Sequence, residues 1–130
     1  MKHLFVPYEL AIALKEKGFN EPCFTYWFTV KGDNPQLKES DVRDLKGWVN
    51  GEGSNTTAPL YQQVIDWLRD TKDIQINIEW NRYYEQTPFI YTTRPTWRNQ
   101  PVRPFGYSGM CNTYYNALEH AIYESLKHIQ

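Results

Sequence analysis

TAPLYQQVIDWLRDTKDIQINIEW, residues 57–80, reads as a helix running directly into a strand, with two further helices and two further strands packing on it. At about 100° per residue, Leu60, Tyr61, Val64, Ile65, Trp67 and Leu68 fall on one arc, and Gln62, Gln63, Asp66, Arg69 and Asp70 on the other. Such a helix buries one face. Thr57 suits capping of the free amides at its start, with Ala58 the alternative cap position, and Pro59 suits a first helical turn because it has no N–H to leave unpaired. After a turn at residues 70–73 the period changes to two: Ile74, Ile76, Ile78 and Trp80 alternate with Gln75, Asn77 and Glu79. This predicts a strand with one dry face. Stripes of this kind are ordinarily core rather than ligand site.

A chain of 130 residues is the size of one domain that buries a core without staples. Its net charge of −1 excludes a polyelectrolyte binder of nucleic acid or membrane, though not a local patch. Cys23 and Cys111 match no zinc or redox spacing, and no secretory signal or apolar run of membrane-spanning length is visible, which points to the cytoplasm and reduced thiols. Aromatic residues make up 16 % of the chain, enough to ask whether some serve a surface.

Residues 4–18 predict the first helix, with Pro7 in its first turn, Gly18 as a left-handed stop and Phe19 as the apolar residue that follows it. Leu10, Ala11, Ala13 and Leu14 face the core; Tyr8 and Ile12 form a second apolar line, either covered by a loop or open to contact. CFTYWFTV, residues 23–30, predicts a strand covered on part of both faces. Residues 31–56 are polar and turn-rich, with a helix-like spacing at Val42, Leu45 and Val49, and read as a long surface excursion. Glu39, Asp41 and Asp44 within it lack the complete calcium-loop pattern and read as a solvated face. A third strand is expected within residues 87–93, antiparallel to residues 74–80 through a hairpin at 81–86, with Pro88 at an edge or at its first residue.

The second excursion, residues 94–111, contains Pro95, Pro101, Pro104, Gly106 and Gly109, which exclude a helix or a long strand. Arg94, Arg98 and Arg103 alternate there with Trp97, Phe105 and Tyr107. These six are the candidate ligand-binding residues, because guanidinium forks hold phosphates or carboxylates and aromatic rings stack on bases. The plainer alternative is a loop whose aromatics cover the sheet. Residues 112–130 predict the last helix, capped by Asn112 or Thr113, with Tyr115, Leu118, Ile122, Leu126 and Ile129 as its apolar stripe. His120, Glu124 and His128 follow one line of that helix, at a spacing that suits metal ligation and equally a polar face. Cys111, just before the helix, is the stronger candidate nucleophile, since a helix dipole lowers a thiol pKa; Cys23 reads as a small buried apolar residue. No cofactor or metalloprotease motif is present, so an enzyme is disfavoured.

The expected fold is α+β in the order α-β-α-β-β-α: a three-stranded mixed or antiparallel sheet packed by three helices, in a single domain over residues 1–130. If the first two strands are parallel, the connection between them is a right-handed crossover. The blocks VPYELAIALKEKGFNEPCF, TAPLYQQVIDWLRDTKDIQINI and YYNALEHAIYESLKHI resemble a family of small uncharacterised proteins of Bacteroides-type bacteria, their phages and mobile elements. The resemblance covers about half the chain and implies an accessory protein, with no site residues to transfer. The leading expectation is a non-enzymatic protein that binds a host protein or a small anionic ligand. Alternatives are a single-stranded nucleic-acid binder using the basic-aromatic loop, and an enzyme with a scattered Cys/His site. Self-association through Tyr8 and Ile12 is compatible with each.

Overall fold

The computed structural model describes residues 2–29, 34–39, 50, 55–95 and 107–129, and shows three α-helices with two three-stranded antiparallel sheets, an α+β fold. The chain divides into two compact units, Met1–Tyr61 and Gln62–Gln130. Among the described residues no helix is long and apolar enough to cross a membrane.

In the first unit a 3-10 turn, Lys2–Leu4, precedes helix α1, Tyr8–Glu16. The helix starts later than residue 4 because Pro7 is extended (φ −67°, ψ 163°) and stands before the first turn rather than within it. Gly18 ends it at φ 92°; its N–H donates to the Lys15 carbonyl (3.1 Å), and the Phe19 N–H donates to the Leu14 carbonyl (2.9 Å). These two bonds form a Schellman ending with Phe19 buried beside it. Strand β1, Thr25–Phe28, is the centre of a sheet with β2, Gln36–Glu39, and β3, Thr56–Thr57, on either side. Thr25 and Trp27 are buried while Tyr26 and Phe28 are half-buried. The Trp27 indole N–H donates to the Val6 carbonyl (3.1 Å), and the Ala58 N–H to the Thr25 carbonyl (2.9 Å).

Two sequence expectations are corrected here. Residues 31–56 contribute β2 and the first residue of β3, whereas only a surface excursion is expected there; the spacing at Val42, Leu45 and Val49 lies outside the described residues. Thr57 is a strand residue rather than a helix cap, because residues 56–59 are used as extended pairing: Thr57 opposes Tyr26, and the Pro59 carbonyl accepts from the Val6 N–H (3.0 Å). Buried Asn50 ties this segment to the end of α1. Its Nδ2 donates to the Phe19 carbonyl (2.8 Å), and its Oδ1 accepts from the Thr57 N–H (2.9 Å).

Helix α2, Tyr61–Lys72, leads into the second unit with Val64, Trp67 and Leu68 buried as the arc predicts, while Ile65 is half-buried and Leu60, ahead of the first turn, is exposed. Asp73, at φ 57°, turns the chain out of the helix through the left-handed region. Strand β4, Ile74–Trp80, then pairs antiparallel with β5, Phe89–Pro95, without a break from Ile74↔Pro95 to Trp80↔Phe89. Pro88 sits just ahead of β5, where its missing N–H costs no ladder bond. The other side of β5 pairs with β6, Tyr107–Cys111, a strand drawn from the stretch expected to be irregular. Helix α3, Tyr114–Leu126, packs on all three strands and buries Leu118, Ala121, Ile122, Ser125 and Leu126. The Thr113 hydroxyl caps it by accepting from the Asn116 N–H (3.1 Å). Because β1 and β4 belong to different sheets, the single sheet expected from the sequence is two sheets, and among the described residues no crossover between parallel strands arises.

The Asn50→Ala variant removes the Asn50 side-chain acceptor of the buried Thr57 N–H and one donor to the Phe19 carbonyl, so it loses roughly 1–3 kcal/mol. Urea unfolding reads this as a lower midpoint at unchanged slope. Gln62→Ala, on the exposed face of α2, shifts stability by less than about 0.5 kcal/mol.

Candidate binding surface

Residues directly opposite in a ladder share a face of the sheet. One face of β4–β5–β6 therefore carries Ile74, Ile76, Ile78, Trp80, Phe89, Tyr91, Thr93, Gly109 and Cys111; the other carries Gln75, Asn77, Glu79, Ile90, Thr92, Arg94, Ser108 and Met110. Of the six residues singled out from the sequence, Arg94 is exposed on the second face, opposite Gln75. Tyr107 opens β6 as the register partner of Thr93, and Trp97, Arg98, Arg103 and Phe105 lie outside the described residues.

The first face meets α3. Tyr91 is opposite Gly109, and its ring takes the place of the side chain that Gly109 lacks: a Cβ built there would lie 2.5 Å from a ring carbon. His120 stacks on the same ring at 6.3 Å and 14°. Burial pushes the Tyr91 phenol above its ordinary value, with a smaller push from the Glu124 carboxylate that Lys127 partly offsets. Glu124 also accepts from the Lys127 ammonium at 2.9 Å. Two of the three groups on the His120, Glu124, His128 line thus have packing or ion-pair roles. Among the described residues no group of three or more His, Cys, Asp or Glu side chains is arranged to hold a metal ion. Glu39 is exposed on β2, and Asp41 and Asp44 lie outside the described residues.

Cys111 corrects another expectation. It ends β6 just before α3, as expected, but burial raises its thiol pKa, the reverse of dipole activation. Cys23 is buried, and its thiol donates to the Glu21 carbonyl (3.4 Å). Tyr8 meets Trp27 edge-on at 6.0 Å, so the line it forms with Ile12 is partly taken into the packing of the first unit.

Among the described residues of the second unit, the most exposed aromatics lie where β4 turns into β5. The Asn81 side chain accepts from the Tyr83 N–H (2.9 Å), its carbonyl accepts from the Tyr84 N–H (3.3 Å), and its N–H donates to the Pro88 carbonyl (2.7 Å). One asparagine thereby shapes the turn, as Asx-turns do. Trp80, Tyr83 and Tyr84 project from it at 64 %, 79 % and 46 % exposure, and the Arg82 guanidinium sits 5.4 Å over the Tyr83 ring. Phe89, the first residue of β5, meets Tyr114 edge-on at 6.2 Å, continuing the aromatic run to the start of α3. The hairpin expected at residues 81–86 is present, and the signal in the sequence for its exposed surface is the aromatic density of WNRYY in a turn that needs only Asn81. No family model matches the chain, and comparison with curated proteins and with solved structures gives no significant match.

Both the Cys111 thiol and the Tyr91 phenol are raised by burial, so the fold favours their neutral forms. That contribution is complete below the unfolded-state values and is lost as pH rises through the raised ones. The urea midpoint is expected to fall above about pH 8.5, the ordinary thiol value. Cys111→Ala, measured over the same pH series, falls less steeply.

Proposed function

We propose that this chain is a non-enzymatic binding protein whose partner is another protein, held through the β4–β5 hairpin. The observation that carries this reading is the exposure of Trp80, Tyr83 and Tyr84 on a turn held by three hydrogen bonds from Asn81. Tryptophan, tyrosine and arginine are the residues in which interface energy concentrates, and a turn already held in shape loses less entropy on binding. Arg82 lies between Glu79 and Glu85, all three exposed, so the rim is slightly acidic. That charge suits a partner with basic groups around an apolar centre and opposes a phosphate or nucleic-acid track. An accessory protein of the phage or mobile-element type, acting by occupying a host protein, fits this description.

Binding of a small anion or of single-stranded nucleic acid rests on Arg94, Trp97, Arg98, Arg103, Phe105 and Tyr107. Arg94 supports it by standing exposed beside the polar row Gln75, Asn77 and Thr92.

Affinity capture from bacterial extract, with cross-linking to map contacts, separates these readings. The unaltered protein is expected to retain a partner cross-linked near the hairpin, and the exposed pair Tyr83→Ser and Tyr84→Ser reduces recovery at least about tenfold. Equal recovery by both proteins overturns the assignment. Affinity for a labelled single-stranded oligonucleotide that falls steeply with salt would favour the basic-aromatic loop instead.

A further inference from the structure

Strand β4 ends its sheet, and the hairpin shows which backbone groups face outward. The Asn81 N–H to Pro88 carbonyl bond lies one step beyond Trp80↔Phe89 in the same register. Hydrogen-bonded and non-bonded pairs alternate in an antiparallel ladder. Gln75, Asn77 and Glu79 therefore exchange bonds with β5, while Ile74, Ile76, Ile78 and Trp80 turn their N–H and C=O groups away from β5, to the side where no strand pairs with β4 among the described residues. Only the Ile76 carbonyl has a partner there among the described residues, the Nε2 of neighbouring Gln75 at 3.1 Å. Protein edges are usually blunted by proline, lysine or a bulge; Ile74–Trp80 contains neither residue type, and its pairing with β5 has no bulge.

We infer that β4 pairs antiparallel with β4 of a second copy of this chain, about a two-fold axis at Asn77. The sequence IQINIEW is self-complementary in this register. Ile76 meets Ile78 and Ile74 meets Trp80 on the α3 side; Gln75 meets Glu79 on the polar side. The outward groups of Ile74, Ile76, Ile78 and Trp80 then bond with one another across the axis, as an isologous contact requires. Ile78 of the second copy supplies an N–H to the Ile76 carbonyl, which releases the Gln75 amide to donate to the facing Glu79 carboxylate. Trp80, now exposed, gains an apolar neighbour from the second copy's strand. A shift of two residues either way shortens the ladder, and one of the shifts sets Asp73 against Glu79, a like-charge pair. The pairing shares Trp80 with the hairpin surface, while its Ile76–Ile78 and Gln75–Glu79 contacts lie outside that surface.

Sedimentation velocity over a concentration series tests it, using the unaltered chain with Gln75→Glu and Gln75→Lys. The first substitution faces Glu79 with a second carboxylate and the second faces it with an ammonium. Each contact occurs twice across the axis, so the dissociation constant is expected to rise roughly threefold to thirtyfold for Gln75→Glu and to fall for Gln75→Lys. Hydrogen exchange at the Ile76 and Ile78 amides should slow as dimer forms. A chain that stays monomeric at every concentration overturns the inference. So does a dimer whose constant ignores both substitutions, or an open polymer, which would mean head-to-tail pairing. If one variant fails to fold, the other and the exchange data of the unaltered chain still decide.

Discussion

The unbroken register between β4 and β5 is the constraint on which the second unit depends. A one-residue slip would send Ile74, Ile76 and Ile78 to the polar face and Gln75, Asn77 and Glu79 under α3. The same register sets Tyr91 where His120 can stack on it, opens the turn at Asn81, and determines which amides of β4 face outward. Core, presented aromatics and the outward row of β4 backbone groups are thus three results of one pairing. On the same face of the sheet, burial raises the pKa of both the Cys111 thiol and the Tyr91 phenol.

In the first unit a side chain has the corresponding role. Strand β3 has only two residues, too few to hold itself to β1 by ladder bonds alone. Asn50 supplements them by bonding at once to Phe19, where the Schellman ending delivers the chain, and to Thr57. Thr25 adds a contact of its own, since its hydroxyl donates to the Ala58 carbonyl. Short strands persist here because neighbouring side chains satisfy the backbone that the ladder leaves over.

The readable elements were those with a sustained period. Helices α2 and α3 repeat their apolar residues over three turns, and β4 alternates along its whole length. The strands that were missed lack a period to read. QLKE in β2 has one apolar residue, β3 is two threonines, and in YSGMC the alternation is interrupted by a glycine where the apolar face should continue. Sheet membership followed from those misses: without β2 and β3, β1 had no partner except the later strands. Four of the six candidate ligand-binding residues lie outside the described residues, whereas the exposed aromatics Trp80, Tyr83 and Tyr84 flank a turn, where composition is easily read as mere connection.

The glycine that hid β6 also couples two positions far apart in the chain. The space above Gly109 belongs to the Tyr91 ring, so the two residues share one volume. Neither position is free to drift alone: a side chain at 109 requires a smaller residue at 91, and loss of the ring at 91 uncovers backbone at 109. Among descendants of this sequence the two sites should therefore change as a pair, leaving a covariation signal that neither position would show by itself.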